Sequence, residues 1–338
     1  MPGMKQNTIK KVIREKLQKW FDSLEVESVK TIAKQNTLIS GGCITSMLLG
    51  EDINDYDLYF RDKHTARLIA EYYVKIFNEK KLATSASHHC NPEVKFVKRV
   101  NIRGEEEDRL VIYMKSSGIA AEGQAAYHYF ESRSDSETQA FIESLNSEEQ
   151  ENIENQDLIG TNIEGDPLQF TGEMIQMVKD KTLKYRPIFF TENAITLAGK
   201  IQLVIRFFGE ATEIHDNYDF VHCMCWYDYA KDELFVSPEA MASILSKSLV
   251  YKGSLYPVAS LFRIRKFIKR GWRITAGQML KIIMQVSKLD LENINILREQ
   301  LIGVDQAYMH QLLEAIQNAA HDRVDTAYLA KLIDEIFE

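Results

Sequence analysis

The beginning of the chain alternates between helix-like and strand-like patterns of apolar residues. Between residues 5 and 34 the apolar positions recur every three or four residues, which predicts one or two amphipathic helices. Residues 37–42 read TLISGG, which predicts a short buried strand that ends in a glycine turn. A short helix should follow and end at Gly50, because glycine is favoured just beyond the last helical turn. Residues 56–60 are mostly apolar and predict a second strand.

Beyond this region the mixed pattern continues and then becomes helical. Residues 65–80 predict a helix. Strands are predicted in further segments, which are residues 94–102, 110–115, 195–208 (two strands around a turn at Gly199 and Lys200) and 217–236 (two strands that turn near residues 228–232). From residue 238 to the end, apolar residues recur at helical spacing. The sequence therefore predicts a mixed α/β (α+β) part followed by an all-helical part.

One segment follows neither pattern. Residues 131–166 hold eleven acidic residues against one basic residue, Arg133, and a single aromatic residue. So much charge with so little apolar surface is typical of a solvated segment, and we expect residues 131–168 to be an acidic insertion or flexible segment. The predicted organisation is then residues 1–130 for the first part of a head, 169–237 for its remaining strands and 238–338 for a helical neck and body.

Composition narrows the class of protein. The chain has 338 residues, of which 45% are hydrophobic and 27% charged, as is typical of a globular protein. No apolar run approaches the ~20 residues that a membrane span needs, and the chain starts without the apolar block of a signal peptide, so we expect no membrane partner. Four cysteines are too few for a disulfide framework, which favours a cytoplasmic protein. The net charge of −8 argues against a protein that binds nucleic acid with its whole surface, but leaves room for a local basic patch.

The candidate chemistry is concentrated in residues 38–60. The first strand ends at Gly41 and Gly42, and twelve residues separate Gly42 from the Asp55-Tyr56-Asp57 motif. Residues two apart on a strand face the same side, so the two carboxylates should project together. Mg²⁺ is usually held by one or two carboxylates plus substrate phosphates, and glycines let backbone N–H groups approach a triphosphate. The pattern favours a phosphate-and-magnesium site, and the alternative is a simple glycine turn beside a solvated edge strand.

At these residues the sequence resembles the polymerase-β-like nucleotidyltransferase superfamily, in which Gly-Gly is followed, after about nine to thirteen residues, by two Asp one residue apart. The Leu-Leu-Gly at residues 48–50 is most similar to the head of tRNA CCA-adding enzymes and bacterial poly(A) polymerases. The long insertion also resembles bacteriophage nucleotidyltransferases. The resemblance implies a nucleotidyltransferase palm in which Gly41 and Gly42 contact the triphosphate of an NTP, while Asp55 and Asp57 hold two Mg²⁺ ions.

One departure from the CCA-adding pattern concerns the residues just after the glycines. That pattern has an Arg-Asp pair, and this chain has Thr45 and Ser46 at those places. Either hydroxyl would donate a hydrogen bond to a phosphate, but the arginine contact is missing. The departure argues against the specific CCA-adding activity more than against membership of the superfamily.

The resemblance also implies a third acid on a neighbouring strand, flanked by apolar residues. Asp219, between two aromatic residues, fits this description and would bind the catalytic metal and accept the proton of the attacking hydroxyl. Glu107 and Asp108, which precede another predicted strand, are competing candidates. The alternative for Asp219 is an acid at a strand start that is hydrogen-bonded to a turn.

A basic helix is predicted later in the chain. Residues 260–274 hold six basic residues and no acid, around an apolar stripe. The order R-x-x-K-F-x-x-R-G-W resembles the neck helix of class II CCA-adding and poly(A) enzymes, where basic residues lie near the nucleotide and the primer. Arg263, Lys266 and Arg270 are the matching positions. A solvated cationic face is the alternative, but a local patch on an acidic chain favours phosphate binding.

Together these features predict a Mg²⁺-dependent nucleotidyltransferase that moves an NMP from an NTP to a hydroxyl and releases pyrophosphate. The CCA and poly(A) resemblance implies a tRNA-like RNA 3′ end as acceptor, in the cytoplasm or, for a viral protein, in the host cytoplasm. Two alternatives stay open. A regulator that nucleotidylates a protein or a toxin target is favoured by the net acidity and the missing Arg-Asp pair. A catalytically inactive binding protein is disfavoured by the intact Asp55 and Asp57.

Overall fold

The computed structural model describes residues 3–83, 90–100, 106–116, 159–161, 167–169, 185–190, 193–301 and 331. These residues form both helices and strands, so the predicted mixed α/β class is confirmed. Within them, no helix is long and apolar enough to cross a membrane.

The contacts divide the chain into two compact units. The first comprises the described residues up to Val100, those between Glu106 and Ile214, and the segment from Trp226 to Phe235. The second comprises the segment from His215 to Cys225 and the described residues from Val236 onward.

The first unit contains helices and strands that alternate along the chain. Its helices are α1 (Gln6–Asp22), α2 (Glu27–Asn36), α3 (Gly42–Leu49) and α4 (Lys63–Ala83), and α5 (Ala211–His215) ends at the start of the second unit. Its strands are β1 (Thr37–Ser40), β2 (Tyr56–Phe60), β3 (Cys90–Val100), β4 (Glu106–Ser116), β5 (Ile159–Thr161), β6 (Pro167–Gln169), β7 (Pro187–Phe190), β8 (Ala194–Leu197), β9 (Ile201–Phe208), β10 (Trp226–Asp228) and β11 (Glu233–Phe235).

A mixed sheet joins seven of the described strands, in the order β11-β10-β1-β2-β9-β8-β7. Neighbours are antiparallel except β2 and β9, which run parallel. The hairpin predicted around Gly199 and Lys200 is confirmed, and both residues adopt positive φ values of 81° and 60°. The turn predicted near residues 228–232 is confirmed as the connection between β10 and β11.

One face of this sheet is the apolar core. Cross-strand partners in the middle of that face are all fully buried, and they are Tyr227, Ile39, Leu58 and Leu203. Helix α1 presents a buried stripe at helical spacing, whose members include Ile13, Leu17 and Phe21. The Phe21 ring contacts the Tyr229 ring just beyond β10, with centroids 4.7 Å apart. Trp20 donates a hydrogen bond to Tyr73 of α4 at 2.8 Å, which joins the two helices.

A buried charged cluster holds the far ends of β2 and β10 together. Asp228 is fully buried and pairs with Arg61, which also donates to Glu210 at 2.6 Å. Removing one partner of a buried pair leaves an uncompensated charge, which typically destabilises a protein by about 3–5 kcal/mol. This cluster therefore fixes the position of β10, and with it the start of that strand at Trp226.

The described parts of the middle of the chain form two separate hairpins. Strands β3 and β4 pair along their whole length, with Val100 opposite Glu106. Glu107 and Asp108 therefore lie within β4, and the prediction that they precede this strand is wrong. Strands β5 and β6 form a short antiparallel pair. Apart from residues 159–161 and 167–168, the predicted insertion at 131–168 lies outside the described residues.

The second unit is mostly helical. Its further elements are α6 (Pro238–Ser246), β12 (Ser248–Leu249), α7 (Pro257–Lys269), β13 (Arg273–Ile274), α8 (Ala276–Val286) and α9 (Ile294–Leu301). The Ser237 side chain caps α6 by accepting a hydrogen bond from Ala240 N at 3.0 Å. Because β12 and β13 pair in parallel, the prediction of an all-helical region after residue 238 is wrong in this detail.

The strand predicted through Asp219 is also absent from the sheet. Residues 221–223 form a 3₁₀ turn, and Phe220 makes an isolated bridge with Tyr251. The backbone of this segment bonds instead to residues 250–252, with Lys252 N donating to Asp219 O at 2.8 Å and Val221 N to Val250 O at 3.0 Å. Once these partners satisfy the backbone, the apolar and aromatic pattern does not need a sheet neighbour.

Candidate functional site

Four residues of different strands form one row across the sheet. The register joins Ser40 of β1 to Trp226 of β10 and to Asp57 of β2, and it joins Asp57 to Gln202 of β9. Directly opposed residues in a sheet lie on the same face, so this row lies on the face opposite the apolar core row. The row brings polar and aromatic side chains together where β1 ends and β2 begins.

The two predicted carboxylates lie at this edge. Asp57 is half-buried within β2, and Asp55 is exposed one residue before the strand. Ser40, the partner of Asp57, is followed directly by Gly41, so the carboxylates lie beside the glycine turn. This confirms the predicted neighbourhood of the two motifs.

The glycine turn opens the first turn of α3. Gly41 is the N-cap with φ 96°, a conformation that L side chains rarely adopt, and no side chain caps this helix in the described structure. A methyl group on Gly42 would meet no atom within 4 Å in the part of the chain that the structure describes. The N–H groups of a first helical turn carry partial positive charge, so this uncapped end can bind an anionic group.

A lysine that the motif does not contain lies at the same edge. Lys200, in the turn before β9, accepts a hydrogen bond from Tyr56 N at its carbonyl, at 2.7 Å. Its Nζ donates to the carbonyl of Ile53 at 3.1 Å, within the loop that leads to Asp55. The turn thereby fixes the loop before the two carboxylates and adds a cation to their surroundings.

Thr45 and Ser46, the predicted substitutes for the Arg-Asp pair, lie inside the fold. Their exposed fractions are 2% and 5%. Both belong to α3, which ends as predicted at Gly50 in a left-handed conformation. Hydroxyls this deeply buried contribute to packing, and their contact with a phosphate stays a prediction.

Asp219 belongs to a polar cluster of the second unit. Its carboxylate accepts hydrogen bonds from Ser260 at 2.9 Å and from the Arg263 guanidinium at 2.6 Å. Both partners come from α7, the predicted basic helix. The carboxylate thus bonds to a helix and not to a turn, so the alternative of an acid at a strand start is wrong in this detail, while the role of Asp219 as a third metal ligand and proton acceptor stays a prediction.

The competing third acids are also engaged with cations. Asp108 pairs with Lys63 at 3.1 Å. Glu107 pairs with Arg109 and, at 3.3 Å, with Arg206. Neither acid lies on a strand next to β2, because β2 is flanked by β1 and β9.

The three predicted neck residues differ in their surroundings. Arg263 is engaged with Asp219, whereas Lys266 is exposed on α7. Arg270 follows the helix as its C-cap, and its guanidinium lies 5.7 Å from the centre of the Phe267 ring. Their contact with a nucleotide stays a prediction.

The residues of the sheet edge fit a magnesium ion with a bound triphosphate. Within the described residues, no group of three or more His, Cys, Asp or Glu side chains is placed to hold a metal ion. Two carboxylates are nevertheless a usual protein contribution to a Mg²⁺ site, because substrate phosphates and waters complete the shell. Asp55 and Asp57 would supply the hard oxygen ligands beside the uncapped start of α3, and binding of Mg²⁺ at this edge stays a prediction.

Comparison with known proteins identifies the family. The model of the family described as "Gabija anti-defense 2 family protein" matches residues 11–247, which is most of the chain. The chain belongs to the Gabija anti-defense 2 family. The matched region includes the glycine turn, both carboxylates and Trp226, but not helix α7.

One curated relative supports this assignment. The chain is similar to "Gabija anti-defense 2" of Bacillus phage SPbetaL7, with 26% identity over 108 residues. The alignment covers 31% of this chain and 27% of the relative, so it spans about a quarter of the relative's length. No solved structure matches. The family description names no enzymatic activity.

The positions of Lys200 and Gln202 at this edge are not predicted by the sequence. Both are distant from the motif along the chain, and only the parallel pairing of β2 with β9 brings them to Asp57. Trp226, Tyr227 and Tyr229 are close together in the sequence, which alone does not show which of them is exposed. Tyr227 and Tyr229 are buried, whereas Trp226 is partly exposed, and this difference depends on the register with β1.

Proposed function

We propose that this chain is a Mg²⁺-dependent nucleotidyltransferase and that its reaction counteracts the Gabija defence. The reaction transfers an NMP from an NTP to a hydroxyl acceptor. A bond forms between the acceptor oxygen and the α-phosphorus, the hydroxyl gives up its proton to solvent, the bond from the α-phosphorus to the β-phosphate oxygen breaks, and pyrophosphate leaves. The assignment of the fold as a polymerase-β-like palm is also part of this proposal.

The single observation that carries the proposal is the pairing of Ser40 with Asp57. Through this pair, the Gly41–Gly42 turn and the two carboxylates meet at one sheet edge. A helix start without a cap and two adjacent oxygen ligands are complementary to a triphosphate with its magnesium. Neither a plain turn nor a solvated edge strand requires both features at one place.

Each part of the edge has a role in this reaction. The N–H groups at the start of α3 would bind phosphate oxygens, and the absence of a Cβ on Gly42 keeps that approach open. Asp55 and Asp57 would hold Mg²⁺, in the two-ion arrangement that the superfamily resemblance implies. Bound magnesium supplies charge stabilisation for the attacking and leaving oxygens. Lys200 would keep the loop before Asp55 in place through its bond to Ile53.

The acceptor that we propose first is a tRNA-like RNA 3′ end in the host cytoplasm. It rests on the resemblance of the motif and of α7 to CCA-adding and poly(A) enzymes. Lys266, exposed on α7, and Arg270 at its end would contact RNA phosphates.

A second acceptor is favoured by the family itself. A protein that acts against a defence system would do so directly by nucleotidylating a protein component of that system. The net charge of −8 agrees with this alternative, because it disfavours extensive binding of RNA.

Transfer of a labelled nucleotide distinguishes the two acceptors. The protein would be incubated with Mg²⁺ and each α-labelled NTP, with total RNA or with extract of Gabija-carrying cells. Label in RNA supports the first acceptor, and label in a protein of Gabija-carrying cells supports the second. Asp55→Asn/Asp57→Asn is the inactive control, and Glu51→Gln, in the same loop, is the matched carboxylate control that should keep activity.

Labelling and melting experiments together can also exclude this function. If no acceptor is labelled and Mg²⁺ with NTP does not raise the melting temperature of the wild-type protein, the chain does not bind this substrate. We would then reject the enzymatic function and conclude that the chain is a binding protein with this fold.

A further inference from the structure

We propose that Trp226 and Phe235 form a stacking platform for the base of the nucleotide, which rests on the proposed nucleotide site at Asp57. The two rings stack on neighbouring strands β10 and β11, with centroids 5.5 Å apart and planes inclined by 25°. Nothing in the motif at residues 38–60 specifies a base, so the platform adds a contact that the carboxylates and glycines do not provide.

The register aligns the platform with the carboxylates. Phe235 is opposite Trp226, Trp226 is opposite Ser40, and Ser40 is opposite Asp57. Trp226 is thus two strands away from Asp57 on the same face. With strands about 4.8 Å apart, their Cα atoms are about 10 Å apart, a distance comparable to the reach of a nucleotide from its α-phosphate to its base.

The residue between them, Ser40, is small and only 2% exposed. Ser40 is the sole member of the row between Asp57 and Trp226, and its side chain is much smaller than either. A sugar would therefore pass beside the end of β1, at Gly41, rather than over the Ser40 side chain, and would connect phosphates at the α3 start with a base at the indole.

Exposure distinguishes this pair from the aromatic core. Tyr227, the next residue along β10, is fully buried, whereas Trp226 is partly exposed and Phe235 is 44% exposed on the edge strand. An exposed face of an aromatic ring beside a phosphate site is a surface on which any base can stack. The platform is therefore expected to bind purine nucleotides more tightly than pyrimidines, because a purine covers more of the ring.

Intrinsic fluorescence tests the platform directly, because the other tryptophans, Trp20 and Trp272, are 0% and 3% exposed. Mg²⁺-ATP should quench the wild-type protein, and Trp226→Phe should abolish this quenching. Mg²⁺-tripolyphosphate, which has phosphates but no base, should raise the melting temperature without quenching. Trp226→Ala should weaken binding of ATP about tenfold and leave binding of tripolyphosphate unchanged.

Two further variants distinguish loss of base stacking from a general structural effect of removing an aromatic ring. Phe235→Ala alters the exposed half of the platform and should also weaken ATP binding. Tyr113→Ala removes a ring that is 50% exposed on the β3–β4 hairpin and should not. If ATP stabilises the wild-type protein but binds Trp226→Ala and Phe235→Ala equally well, the platform is wrong and the nucleotide site stands. If neither ATP nor tripolyphosphate stabilises the wild-type protein, the proposed function and the platform both fail.

Discussion

Gln202 lies directly opposite Asp57 on the parallel strand β9. The superfamily resemblance implies a third acid on a strand next to the two carboxylates, and this position has an amide instead. The other neighbour of β2 is β1, which has Ser40 at the corresponding place. Neither adjacent strand therefore supplies an acid opposite Asp57.

The Gln202→Glu variant should strengthen the metal site. A third carboxylate opposite Asp57 adds negative charge that a divalent cation would compensate. The melting temperature should fall without Mg²⁺ and recover at a lower Mg²⁺ concentration than the wild type needs. Gln202→Met is the control, because it keeps the side-chain length and adds no ligand. An unchanged Mg²⁺ dependence in Gln202→Glu would mean that β9 does not face the metal.

The two glycines should respond differently to alanine. Gly41→Ala should lose about 1–3 kcal/mol of unfolding free energy, because the residue adopts φ 96°. Gly42→Ala should fold normally, because the added methyl group has space, but should bind Mg²⁺-NTP about tenfold more weakly. Urea unfolding and nucleotide titration measure the two effects. Equal nucleotide affinity of Gly42→Ala and wild type would contradict phosphate binding at the start of α3.

Asp219 and Arg263 should behave as one structural unit. Arg263→Ala should cost about 2 kcal/mol of unfolding free energy, because the largely buried Asp219 loses a charge-assisted hydrogen bond. Asp219→Asn should cost a similar amount, and the double variant should cost less than the sum. Lys266→Ala, at an exposed position of the same helix, is the control without such a loss. If Asp219→Asn instead keeps its stability and loses stabilisation by Mg²⁺-NTP, Asp219 is the third metal ligand.

The stability of the protein should fall as the pH drops below about 6.5. Burial lowers the pKa of His215 and of His222 to about 4, from an ordinary value of 6.5. Between these values the unfolded chain binds protons that the folded chain does not, so stability is fully present above the unfolded pKa and is lost towards the folded pKa. Each histidine contributes at most about 3 kcal/mol to this loss of unfolding free energy.

Urea unfolding at about pH 5 and about pH 7.5 measures this loss. His222 lies among aromatic rings, with its centroid 4.5 Å from that of Phe267 and 4.3 Å from that of Trp272. His222→Phe should therefore keep the packing and reduce the difference between the two pH values. A variant with the full wild-type difference would show that His222 does not contribute to it.

The sequence predicted the local parts of the site because they are short-range. The strand before Gly41, the helix that ends at Gly50 and the strand that contains Asp57 each depend on a few adjacent residues. Their meeting follows from one antiparallel pairing.

The rest of the site depends on distant pairing. The prediction of a strand through Asp219 is wrong because residues 250–252 supply the backbone partners of this segment. Gln202 and Trp226 reach Asp57 through β9 and β10, whose order in the sheet no local pattern specifies. A sequence pattern predicts that a segment is a strand, but not which strand will be its neighbour.

Infection of Gabija-carrying cells shows whether anti-defence depends on Asp55 and Asp57, and it does not require the acceptor to be known. Cells would express the wild-type chain, Asp55→Asn/Asp57→Asn or Glu51→Gln at equal folded levels, and would be infected with a phage that the defence blocks. We expect that the wild type and Glu51→Gln restore plaques and that the double variant does not. Full restoration by the double variant would contradict a nucleotidyltransferase mechanism of anti-defence.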